Sequence, residues 1–117
     1  PTGRTGFPLH CRLRYFDPEG RRAGVPEGVS ALIDSMSNDG VTVQIVNIDP
    51  LRKRSVVVQG GAYAEHQIAS VTVDDATTPV DDSHFTVHLD PGAGSRFTVR
   101  MNRYANAPTF SFPWHRS

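Results

Sequence analysis

SHFTVHLDPGAGSRFTVRM, residues 83 to 101, is the stretch whose reading decides the fold class. Phe85, Val87 and Leu89 alternate with His84, Thr86 and His88. Beyond Asp90-Pro91-Gly92-Ala93-Gly94, Phe97, Val99 and Met101 alternate with Arg96, Thr98 and Arg100. A repeat of two puts each apolar trio on one face of a strand. The Pro-Gly turn between the runs is expected to fold them into a hairpin.

The same rhythm extends upstream. His66 to Val73 reads as a strand followed by a polar loop, Asp74 to Asp82, and Ser55 to Gln59 as a strand closed by Gly60-Gly61. Val41 to Ile48 is the most strand-like segment. Val41, Val43 and Ile45 share one face, while Val46 and Ile48 make the other apolar too, which predicts a central strand covered on both sides. Pro8 to Phe16 alternates well enough for a first strand, and residues 1 to 7 read as a linker or lead-in.

One segment breaks the pattern. Val29, Leu32, Ile33 and Met36 fall at i, i+3, i+4 and i+7, the spacing of one helical face. Pro26 and Glu27 suit a first helical turn, and Ser37-Asn38-Asp39-Gly40 is a stop signal. The spacing predicts a short helix near 27–36, with a strand over 29–36 as the rival. The expected architecture is therefore an all-β antiparallel sandwich of six to eight strands plus that helix. It spans residues 8–117 as a single domain with an aromatic C-terminal tail. Prolines in the tail forbid a central strand there and predict an edge strand or an extended wrap.

Composition narrows the functional classes. Lys plus Arg and Asp plus Glu are both twelve, so the basic excess of a nucleic-acid binder is missing. No apolar run approaches the ~20 residues of a membrane-spanning helix. The single cysteine, Cys11, excludes an internal disulfide and reads as a small apolar residue. That leaves the compartment open. The chain opens at Pro1, which suggests a processed product or a piece of something longer.

No stretch carries a catalytic motif: GxSxG, GxGxxG and the phosphate-loop pattern are all missing. His84 and His88 would lie ~13 Å apart on a strand, too far for one ion, and read as solvated. Asp74, Asp75, Asp81 and Asp82 lack an EF-hand's ligand spacing and read as a hydrated loop. No metal and no cofactor is expected. The most distinctive local sequence is Gln59-Gly60-Gly61-Ala62-Tyr63-Ala64-Glu65-His66. Glu65 could orient His66 or share a proton with it. Adjacent residues on an extended chain point to opposite faces, however, and the plainer reading is a turning connection whose polar groups tie down backbone. In the tail, Tyr104, Phe110, Phe112 and Trp114 either stack on sugar rings or bury themselves on their own sandwich or on a neighbour. Each ring buried contributes roughly 2 kcal/mol or more.

VTVQIVNIDPLRKRSVVVQGGAYAEHQIASV, with FTVHLDPGAGSRFTVRMNRYANAPTFSFPW, resembles the small C-terminal β-sandwich domains of bacterial multidomain carbohydrate-active enzymes. Val41 to Asn47 corresponds to their VxVxxxN strand, Arg54 to Gln59 to an R-x-V-x-V-Q strand, and Leu89 to Gly92 to an L-x-P-G turn. The resemblance covers roughly residues 41–114 and implies a non-catalytic accessory domain packed against another domain or subunit. It supplies no catalytic residue. The expected partner is another polypeptide surface, met by the tail and the segment from Gly60 to His66; self-association is compatible with this. Two alternatives are a carbohydrate-binding module using Trp114 and its neighbouring rings, and a small enzyme built on Tyr63, Glu65 and His66.

Overall fold

A computed structural model describes residues 12–115. The expected lead-in over 1–7, the first half of the strand expected over 8–16, and Cys11 lie outside the described residues. The strands are β1 (Leu13–Asp17), β2 (Arg22–Ala23), β3 (Val29–Met36), β4 (Gly40–Asn47), β5 (Arg54–Gly60), β6 (Gln67–Val73), β7 (Ala76–Asp82), β8 (His84–Leu89) and β9 (Gly94–Asn102). They form two antiparallel sheets, ordered β2-β1-β5-β8 and β3-β4-β9-β6-β7, and the fold is a β-sandwich. A single turn of 3₁₀ helix, Pro113–His115, closes the described chain.

Alternation explains what lies between the sheets. Val56, Val58, Val87 and Leu89 face inward from one sheet. Val41, Val43, Ile45, Phe97, Val99 and Met101 face them from the other. Ile68 and Val71 both join this core although three positions separate them, because a bulge between Ile68 and Ser70 resets the face.

The decisive stretch does not fold as a hairpin. β8 pairs with β5, whereas β9 pairs with β4 and β6, so Asp90–Ala93 is an arch carrying the chain from one sheet to the other. A period of two fixes which side of a strand is oily but not which strand lies beside it. Asn47, fully buried at the end of β4, fastens the arch. Its amide donates to the carbonyls of Arg52 (2.8 Å), Asp90 (3.2 Å) and Leu89 (3.4 Å), and its Oδ1 accepts from the Asp49 N–H at 3.0 Å.

Three further expectations are corrected. The helix near 27–36 is strand β3, paired with β4 from Val29↔Asn47 to Met36↔Val41. The ladder supplied by β4 outweighs local spacing, and a bulge between Ile33 and Ser35 brings Met36 to the inner side while Leu32 stays in water, 62% exposed. The polar loop Asp74–Asp82 contains strand β7. Asp74 and Asp75 form the two-residue turn, both with positive φ (50° and 66°), between Val73 and its partner Ala76. The four acidic residues therefore sit at opposite ends of β7, ~20 Å apart, rather than in one loop. Finally, β5 and not β4 is the strand covered on both faces. Val57 and Gln59 are buried on its outer side, whereas Gln44 and Ile48 beside the outer face of β4 are exposed.

Candidate functional site

Val57 and Gln59 are buried on the outer side of β5, and beside them the tail packs on Phe16 of β1, which gathers the residues singled out in the sequence. Tyr15 on β1 faces the core, so its neighbour Phe16 faces out, beside its register partner Val57. Phe112 and Trp114 stack with planes 8° apart and centroids 5.0 Å apart. Phe16 meets both edge-on, at 5.8 and 6.1 Å. The intervening Pro113 is fully buried, and the Arg21 guanidinium sits 5.1 Å from the Trp114 ring. This is a second, smaller apolar core outside the sandwich. Proline fits because no ladder bond is required of it.

Between β9 and this cluster the chain runs as a strap along the loop from Gly61 to His66. The Asn106 N–H donates to the Glu65 carbonyl (3.2 Å) and the Thr109 N–H to the Tyr63 carbonyl (2.7 Å). The Asn106 amide donates to Ala64 O (3.3 Å) and to Gln67 Oε1 (2.9 Å). Beneath it, buried Gln59 donates to the carbonyls of Gly61 (2.9 Å) and Ala62 (3.4 Å). Gly61 is required here because its φ is +88°, and a Cβ would also collide with the Glu65 carboxylate. Ala64 and Tyr104 also adopt positive φ, 58° and 54°, conformations that the packed strap and loop hold in place.

Glu65 and His66 are each engaged elsewhere. The Glu65 carboxylate accepts the Tyr63 N–H at 2.8 Å. His66 is buried, with its Nδ1 accepting the Tyr104 N–H at 3.0 Å and its ring 4.8 Å from the Tyr104 ring. Acceptance at Nδ1 places the proton of the neutral ring on Nε2. Burial pushes the His66 pKa down; the nearby Glu65 carboxylate opposes this and Arg103 adds to it.

A pH dependence follows from that direction. The unfolded chain takes up this proton near pH ~6.5 and the folded chain only lower. Stability from His66 is complete above that pH and is lost as pH falls from ~6.5 toward the depressed folded value. Urea titrations across this window should show wild type losing stability relative to His66→Gln. Parallel profiles would assign the proton elsewhere.

The remaining candidates are displayed rather than buried. Phe110 is 88% exposed, Tyr104 56% and Tyr63 43%, and Tyr63 meets Phe110 edge-to-face at 5.0 Å with planes 69° apart. Sequence reasoning assigned the tail and the segment from Gly60 to His66 to one expected contact, but not the direct bonding between them, because nothing local announces that residues 104–114 return to residues 63–66. It also assigned no role to Phe16, Gln59 or Asn47. For Asn47 a signal was present: it occupies the inward position of the series Val41, Val43, Ile45, where a polar side chain needs partners.

Comparison with protein-family models, with curated proteins and with solved structures finds no match for this chain. Among the described residues no group of three His, Cys, Asp or Glu side chains converges as metal ligands, and no helix is long and apolar enough to cross a membrane.

Proposed function

We propose that this is a non-catalytic interaction domain that docks on another domain or subunit through the strap end, with Phe110 and Tyr63 at the contact. One observation carries this reading: large rings are held in water by ordered backbone. Phe110 lies beside Thr109, whose N–H is bonded to the Tyr63 carbonyl, so the exposed pair is fixed rather than loosely tethered. Aromatic anchors presented with little conformational freedom are the groups that dominate protein contacts. The resemblance to accessory sandwiches of carbohydrate-active enzymes points the same way.

The arrangement favours a polypeptide surface over a sugar. A pyranose face needs a flat ring laid open to it, but Tyr63 and Phe110 stand edge-to-face. The coplanar pair, Phe112 and Trp114, spends its faces on each other and on Arg21, with Phe16 at its edge. Against the enzyme alternative, the Glu65 carboxylate bonds the Tyr63 N–H and His66 Nδ1 bonds the Tyr104 N–H.

A photo-crosslinking amino acid placed at Phe110 in cells tests this reading. The expected result is a discrete adduct with one polypeptide, absent when the same group replaces Thr77 on β7. No adduct, or the same adducts from both positions, would count against it. Calorimetric titration with oligosaccharides, using Trp114→Ala as control, should show no Trp114-dependent heat.

A further inference from the structure

Independently of the strap, we propose that the domain self-associates through β8, two copies pairing antiparallel about a two-fold axis at Val87 to make one continuous eight-stranded sheet. Sheet edges invite such pairing, and three of the four here are guarded. β2 has two residues, β3 is interrupted by its bulge, and β7 carries both a bulge and Pro79. β8 is outermost in its sheet among the described residues, pairs with β5 without a register shift, and contains no proline and no Lys, Arg, Asp or Glu. Beside it, between β8 and the β6–β7 edge, lies an apolar cleft of about 490 Å³ lined by Val73, Val80, Phe85, Val87, Leu89 and Phe97.

Backbone parity and charge select the register. The Gly60 N–H donates to the Ser83 carbonyl (2.8 Å), so the odd-numbered residues of β8 bond to β5. The backbone groups of Thr86 and His88 therefore turn outward. Antiparallel partners share a face, so odd must meet odd and even must meet even. Centring on Val87 pairs Phe85 with Leu89 of the second copy and puts Val87 beside its equivalent, all over the clefts. On the outer face it bonds Thr86 to His88 of the second copy, and it brings His84 opposite Asp90, the residue that follows β8. Shifting the centre to Thr86 would instead set His84 opposite His88, with no carboxylate facing either ring. A carboxylate facing His84 in place of a second imidazole thus favours the Val87-centred pairing of identical surfaces, which closes as a dimer.

Sedimentation equilibrium with wild type should show a monomer–dimer equilibrium that stops at the dimer. Thr86→Pro removes an outward N–H without touching the β5 ladder and should weaken dimerisation roughly thirtyfold or more. In a Cys11→Ser background, Val87→Cys should form an intermolecular disulfide on mild oxidation, because facing residues of a non-bonded pair lie within disulfide reach. Thr77→Cys should not. A wild type monomeric at every concentration reached, a Thr86→Pro variant dimerising as wild type does, or growth beyond a dimer would each overturn the proposal. Should Thr86→Pro fail to fold, the Val87→Cys crosslink decides: its formation supports the pairing and its absence refutes it.

Discussion

Phe16→Ala is expected to lower the unfolding free energy by about 3–5 kcal/mol, the loss associated with removing a buried aromatic side chain. The size is notable because Phe16 points away from the space between the sheets. It is nonetheless 2% exposed, with Phe112 and Trp114 against it and Val57 beside it. Losing the ring opens a void that the rigid β1–β5 pair cannot close from one side, and it frees the strap from its anchor. Urea denaturation followed by Trp114 fluorescence and by far-UV circular dichroism would measure the effect. A loss below about 1 kcal/mol, the range of an ordinary surface change, would mean that the outer cluster contributes little.

Asn47→Ala should destabilise the domain by about 2–4 kcal/mol, since it removes four side-chain hydrogen bonds, each contributing about 0.5–1.5 kcal/mol net, from a buried position. The amide serves three carbonyls from two separate segments and its oxygen serves the Asp49 N–H, all from a side chain that is itself fully buried. Asn47→Asp is the sharper variant. It keeps shape and acceptor but presents a carboxylate to the carbonyls of Leu89 and Asp90, so it should be worse than alanine at neutral pH. Equal stability of the three proteins in denaturant titrations would show that the arch holds without this clasp.

The faces of the strands were legible from the sequence because alternation is local. Val41, Val43, Ile45, Phe97 and Val99 all point where their spacing says. Partners were not legible. Asp90-Pro91-Gly92-Ala93-Gly94 is as compatible with an arch as with a hairpin, and the contacts that distinguish the two, such as those of Asn47, are distant in sequence. The helical spacing of Val29, Leu32, Ile33 and Met36 misled because β3 carries a bulge, which shifts the alternation by one place and imitates a longer period. At the candidate site, Tyr63, His66, Tyr104 and Trp114 stood out by residue type, but their assembly depends on the return of the strap, which no local pattern encodes. Thr77 and Thr78 were hidden by their polarity, although threonine suits an edge strand well.

The arch has a kinetic corollary. Because β8 and β9 part company at Asp90, the central pairings of both sheets join residues remote in sequence, such as Val41 with Val99 and Val58 with Phe85. Loop closure must precede those contacts, which places this chain among slowly folding topologies, on the millisecond-to-second scale. Until β9 arrives, β4 and β6 each present a bare inner edge, and in that interval the nascent protein is most exposed to mispairing with its neighbours.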